Sequence, residues 1–342
     1  MNPFFYIIVP IYNVQAYLHQ CLDSLVNQTY THFKAILIND GSTDLSGQIA
    51  QEYCDKDSRF VLITQQNAGQ SIARNAGLAY VKNDLLSIRG GDSSYIVFVD
   101  SDDYIECDGL QTCADICRQH NVELVSFSKI MIVNPSSREP KEYNYRVFAK
   151  ELVGVYTPLE IIRAKTHIPI ATTWAFVAKS SLIFDNHISF IPHIFYEDIA
   201  FCTTLTMKCK HIYISDTPYY NYVLSPDSII RGSFTRAKRI KSVYSYFITL
   251  CYFSTLHDTE ENPEFKEFYR QNCAFYAKDM MKSLGFIGYT KDLGFSKQDI
   301  APMRKYMSSK HKNFCYHFPR IYGFPKKLRL WFMRYLGAKK QS

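Results

Sequence analysis

Four short stretches of the chain carry almost unbroken apolar side chains: FFYIIV at 4–9, FKAILI at 33–38, FVLIT at 60–64 and YIVFV at 95–99. Alternation of apolar and polar positions would mark strands with one wet face. Continuous runs of this length mark strands buried on both faces, as in a parallel sheet. Between the first two runs Val14, Tyr17, Leu18, Cys21, Leu22, Leu25 and Val26 recur at steps of three and four, which predicts an amphipathic helix capped by Asn13. DGSTDLSGQIAQEY then supplies a turn, a Ser42 or Thr43 cap and a second helix, and NAGQSIARNAGLAYV supplies a glycine turn and a third.

Strand and helix alternating three times predict a doubly wound α/β layer with right-handed crossovers. Ligands of such layers collect at the carboxyl ends of the strands. Those ends are Pro10–Asn13, Asn39–Asp44, Asn67–Gly69 and Asp100–Asp103, four segments expected at one sheet edge. Residues 82–94, KNDLLSIRGGDSS, read as a surface excursion, and VELVSFSKIMIV reads as one further strand. Thr157, Pro158 and Glu160 have the spacing of a capping box with proline at the first helical position. From about 234 the pattern is helical, over 236–256, 263–284 and 325–336.

Composition adds little to this: 342 residues, 47% hydrophobic and 21% charged, describe an ordinary globular chain. The opening apolar run is broken at Pro10 and has no basic leader, so the expectation is a chain neither secreted nor membrane-spanning, placed in the cytoplasm. The ten cysteines are scattered, without zinc-like spacing, and fit free thiols. The formal charge of +7 sits in the tail: residues 300–342 hold eleven Lys and Arg and no acid, which leaves −4 on the rest.

The chemistry is concentrated after the fourth run, in VDSDDY. Asp100, Asp102 and Asp103 crowd into four positions, and such charges suppress one another's ionisation unless a cation lies among them. A hard divalent ion uses one or two carboxylates while phosphate and water complete its shell. A polar turn capping a helix is the plain alternative.

IIVPIYNVQAYLHQCLDSLVNQTY, LINDGSTDLS, NAGQSIARNAGL, FVDSDDYI and FYEDIAF occur in the order and near the spacing of family-2 glycosyltransferases of the GT-A fold, and the chain resembles that family strongly over 5–105 and more faintly beyond about 200. The resemblance implies a Rossmann-like, mostly parallel sheet with flanking helices. It implies a nucleotide-sugar-binding catalytic domain over 1–230 and a helical region over 231–342. It assigns Asp102 of the DXD motif to Mn²⁺ or Mg²⁺, and Asp100 to the ribose or the metal. Pro10 lies at the nucleotide site, Asp40 accepts the uracil N3 hydrogen, Tyr12 packs beside the base, and Arg74 lies near base and phosphates. Asp198 is the base that deprotonates the acceptor, with Glu197 orienting it. Trp174 is an acceptor-side wall, although Phe176 stands where relatives carry a basic residue, and Arg231 is a candidate for the diphosphate.

The implied activity is inverting, metal-dependent transfer from a UDP-sugar to a saccharide or glycolipid acceptor in lipopolysaccharide or capsule synthesis. A non-catalytic nucleotide-sugar-binding protein is the alternative. A dehydrogenase is excluded because PIYN replaces the glycine turn after the first strand. The tail over 325–340 sets Leu328, Trp331, Phe332, Tyr335 and Leu336 against Lys and Arg. That pattern suits either an anionic membrane surface or docking on the catalytic domain. Nothing resembles a nucleic-acid module.

Overall fold

The computed structural model describes residues 2–88, 93–134, 141–143, 152–164, 172–224, 235–287 and 291–306. The chain forms two compact units, Met1–His193 with Glu197–Gly232, and Ile194–Tyr196 with Ser233–Ser342.

In the first unit the apolar runs become β1 (Phe4–Ile11), β2 (Phe33–Asn39), β3 (Phe60–Thr64) and β4 (Ser94–Phe98), with α1 (Leu18–Val26), α2 (Ser46–Lys56) and α3 (Gln70–Ile88) between them. There follow β5 (Tyr104–Ile105), α4 (Gly109–His120), β6 (Leu124–Phe127), β7 (Ile130–Val133), β8 (Lys141–Tyr143), β9 (Gly154–Tyr156) and α5 (Pro158–Arg163). The unit closes with β10 (Phe176–Lys179), α6 (Ser180–Asp185), α7 (Glu197–Lys208), β11 (Ile212–Ser215) and β12 (Tyr220–Val223). The main sheet has the order β3-β2-β1-β4-β10-β6-β11-β9, and β5-β12-β7-β8 form a second sheet. β1, β2, β3 and β4 are mutually parallel, while β10 runs antiparallel between β4 and β6. The chain order reverses about β1, which opens the crevice where such sheets bind ligands. Phe5, Ile7, Ile8 and Val9 of β1 are wholly buried, as its continuous apolar pattern requires.

Four local expectations need correction. α1 begins at Leu18, because Asn13 adopts a left-handed conformation (φ 51°) and its Oδ1 accepts from Thr43 N at 2.8 Å instead of capping. α2 begins at Ser46, where Asp44 Oδ1 accepts from Ser46 N at 2.9 Å, rather than at Ser42 or Thr43. Residues 82–88 are helix, not an excursion: Asp84 accepts from Tyr6 Oη at 2.7 Å and Lys34 Nζ at 3.0 Å, tying the last turns of α3 to the sheet. The 122–133 run is two strands in different sheets, broken where Ser128 Oγ and N both donate to the Ser215 carbonyl. The Thr157 capping box at α5 is present as expected.

The second unit is built on α8 (Arg236–Thr259) and α9 (Pro263–Ile287), followed by α10 (Lys297–Ile300). Asn262 Oδ1 accepts from Glu264 N at 2.9 Å to start α9, and the rings of Phe253 and Tyr276 stack at 5.5 Å in the core. Ile194–Tyr196 belongs here: Phe195 N donates to Ser245 Oγ at 2.8 Å, and Tyr196 stacks on Tyr246 at 5.1 Å.

Candidate active site

The four strand ends are joined by hydrogen bonds. Asn13 N donates to Ser42 Oγ at 3.2 Å and Val14 N to Ser46 Oγ at 2.9 Å, which lace the β1–α1 and β2–α2 loops. Asp40, buried at the end of β2, organises the loop before α3. Its Oδ1 accepts from Gln65 Nε2 at 2.7 Å and Ala68 N at 2.9 Å, and its Oδ2 accepts from Gly69 N at 2.8 Å. The carboxylate expected to read a base therefore already shapes the loop that would surround one. Gly41 (φ 70°) permits this approach, since a Cβ there would lie 2.7 Å from Asn67 N.

The start of α3 carries this order into the site. Arg74 is 3% exposed. Its Nη2 donates to Asp100 Oδ1 at 2.7 Å, its Nη1 to Glu197 Oε1 at 2.7 Å, and its guanidinium lies 5.4 Å from the Phe190 ring. Burial alone would lower its affinity for a proton, but the charges of Asp100, Glu197 and Asp198 outweigh this and keep it firmly cationic. Gln70 Nε2, one turn earlier, reaches the same Asp100 Oδ1 at 3.4 Å. Asn75 grips the segment entering α7: its Nδ2 donates to Phe190 O and its Oδ1 accepts from Phe190 N, both at 2.9 Å.

Glu197 and Asp198 open α7, where acids favour the helix dipole. Burial and then the neighbouring Glu197 charge push the Asp198 carboxyl well above its ordinary range, against the opposing pull of Arg74. A carboxylate so displaced is a stronger base than a solvated one.

In the acidic turn the three carboxylates separate into different roles. Asp103 is 1% exposed and turned inward; its Oδ1 accepts from Val223 N at 2.7 Å and its Oδ2 from Tyr220 Oη at 2.8 Å. Burial, then the charges of Asp102 and Asp100, hold its carboxyl well above the usual range. Asp100 and Asp102 are each only partly buried. No group of three or more His, Cys, Asp or Glu side chains placed to hold a metal occurs among the described residues. Two carboxylates fit a hard divalent cation whose shell is completed by phosphate and water, and do not fit a closed structural site.

Pro10 is buried in β1, past the point (Ile8) where that strand's pairing with β4 ends, so its missing N–H costs that ladder nothing. Tyr12 is 49% exposed. Trp174, expected on the acceptor side, is 5% exposed and stacks on the Tyr220 ring at 4.6 Å and 10°. Arg231 and the tail over 325–340 lie outside the described residues. Sequence reasoning passed over Gln65, Gln70, Asn75 and Tyr220. The first three lie within or beside the NAGQSIARNAG string and were read there as turn and helix; Tyr220 carries no local signal.

A mostly parallel sheet whose order reverses at β1, flanked by helices and followed by a helical C-terminal region, is a framework of the GT-A type. The sequence pattern described as Glycosyl transferase family 2 matches residues 6–183, and the chain belongs to that family. It is 47% identical over 106 residues to the glycosyltransferase GlyA of Streptococcus pneumoniae, covering 31% of this chain and 14% of GlyA. It is 30% identical over 237 residues to the uncharacterized glycosyltransferase EpsJ of Bacillus subtilis, covering 67% of this chain and 63% of EpsJ. The chain thus spans less than two thirds of either relative. Among solved structures, S. aureus TarS 1-349 in complex with UDP-GlcNAc superposes with a TM-score of 0.65 at 18% identity, over 93% of this chain and 88% of TarS 1-349.

Proposed function

We infer that the protein transfers a sugar, with inversion, from a UDP-sugar to a saccharide or glycolipid acceptor, and that it uses a divalent cation held by Asp100 and Asp102. The observation that carries this reading is Arg74, which ties the acidic turn to the Glu197–Asp198 pair by two 2.7 Å bonds and so sets a donor end and a base end in one frame. Mn²⁺ or Mg²⁺, when bound, would offset the charge developing on the departing diphosphate. Asp198 takes the proton of the acceptor hydroxyl, whose oxygen forms the new bond to the anomeric carbon as the bond from that carbon to the diphosphate oxygen breaks. Glu197, fixed by Arg74, orients the start of α7. Tyr12 packs against the base at the strand ends, beside the loop that Asp40 orders, with Pro10 beneath it.

UDP as the nucleotide is supported by the fold shared with TarS, whose complex holds UDP-GlcNAc. A role in surface-glycan assembly, on the cytoplasmic face with the basic tail at an anionic membrane, extends the same reading. No described helix is long and apolar enough to cross a membrane.

Calorimetric titration with UDP, with and without Mn²⁺, tests the reading on wild type and Asp102→Ala. Metal-dependent binding that the variant loses is the expected result. Equal binding of UDP by both proteins without metal overturns the metal-dependent mechanism.

A further inference from the structure

The acidic turn is gripped from behind by the segment 219–223. Tyr220 is fully buried, and its single hydroxyl does two things: it accepts from Asp100 N at 3.1 Å and donates to Asp103 Oδ2 at 2.8 Å. Val223 N completes the hold on Asp103 Oδ1 at 2.7 Å. The same segment pairs with β5 through Tyr220↔Ile105 and Asn221↔Tyr104, and Asn221 Nδ2 donates to Glu106 Oε1 at 2.8 Å. Trp174 lies flat on the Tyr220 ring, and the Tyr219 hydroxyl donates to the Trp174 carbonyl, so the phenol cannot swing aside without breaking a packed stack.

Only a phenol fills this place. The site offers one backbone donor, at Asp100, and one carboxylate acceptor, at Asp103, and a tyrosine hydroxyl both accepts and donates. Phenylalanine would keep the stack and lose both bonds, leaving the partly buried Asp100 N–H and a buried Asp103 carboxylate oxygen short of a partner.

We propose that Tyr220 is the positioning residue of the acidic turn: it fixes the backbone of Asp100 and the side chain of Asp103 so that Asp100 and Asp102 are presented to the cation in one arrangement. This rests on the metal-dependent reading given above and adds to it a residue that touches neither metal nor sugar nucleotide. Groups that orient metal ligands from behind typically carry roughly 10–100-fold in metal affinity.

Two measurements on Tyr220→Phe decide it. The first is amide hydrogen exchange of the metal-free protein over 98–105, with β1 as the internal reference. Faster exchange confined to the acidic turn is expected. Unchanged exchange there overturns the proposal. The second is the Mn²⁺ concentration giving half-maximal UDP binding, expected to rise roughly 10–100-fold. A loosened turn with an unchanged Mn²⁺ midpoint reduces Tyr220 to a packing group and also overturns the proposal. Asp103→Asn, which keeps the shape but turns one acceptor into a donor, is expected to shift both readouts in the same direction and serves if Tyr220→Phe does not fold. Wild type that binds UDP without metal sinks the metal reading and the presentation of Asp100 and Asp102 to a cation with it, whereas the exchange result still decides whether Tyr220 holds the turn.

Discussion

Arg74 Nη1 donates to Glu197 Oε1 at 2.7 Å across 123 residues of chain, and the arginine that makes this bond is 3% exposed. The same guanidinium reaches Asp100 at 2.7 Å. One buried cation therefore bridges two acids that the sequence places far apart.

Removing that cation leaves Asp100 and Glu197 facing each other without compensation. Breaking a buried pair in this way costs about 3–5 kcal/mol, so Arg74→Met is expected to lower unfolding free energy by that amount in urea titration. Arg74→Lys keeps the charge but loses the two-pronged geometry. It is expected to be closer to wild type in stability than Arg74→Met while remaining poor in transfer, and transfer by Arg74→Lys equal to wild type would count against the bridge.

Asp198→Asn separates catalysis from folding. Transfer is expected to fall by about 10²–10⁴, the usual contribution of a positioned base. Stability moves the other way. The Asp198 carboxyl is raised in the folded protein, so between the ordinary carboxylate range, about 4, and its raised value the folded chain holds a proton that the unfolded chain has lost. Wild-type stability contributed by this group is thus lost as pH rises through that window. The variant should gain on wild type over the same interval, as followed by chemical denaturation at several pH values.

Asp40→Ala deletes acceptors for Gln65, Ala68 and Gly69 at once. Leaving such donors unpaired costs about 1–3 kcal/mol each where they are buried. The expected signs are faster amide exchange at Ala68 and Gly69 and weaker UDP binding. Unaltered exchange would show that the loop holds its shape without Asp40.

Gly41→Ala tests the backbone beside it. The residue sits at φ 70°, and an added Cβ would approach Asn67 N to 2.7 Å. Left-handed conformation alone costs a residue with a Cβ about 1–2 kcal/mol, and the clash adds to it. A drop in melting temperature larger than that of a solvent-exposed Gly→Ala change elsewhere is the expected result.

Much of the fold was legible because the sheet is buried on both sides. Continuous apolar runs gave β1 to β4 within two residues at either end, and the helical pattern gave α8 and α9. The errors lie where tertiary partners override local preference. Asn13 looks like a helix cap, but its side chain is drawn to Thr43 on a neighbouring loop. Residues 82–88 look like a loop, but Asp84 is tied to Tyr6 and Lys34. In the site, the acids could be found from their crowding, yet crowding does not distinguish Asp103, whose partners Tyr220 and Val223 lie more than a hundred residues away. The stack of Trp174 on Tyr220 was hidden for the same reason, since no local pattern announces a ring partner 46 residues away.

Helix α3 holds α7 and the chain leading to it at two points, Asn75 on the backbone of Phe190 and Arg74 on Glu197. Its own first turn is anchored by the loop that Asp40 ties down. The helix therefore acts as a ruler within the first unit: whatever shifts it moves Glu197 and the acidic turn together and preserves their spacing. Under the proposed function, a change of acceptor can then be met by loops outside its grip without disturbing the distance between Glu197 and the acidic turn.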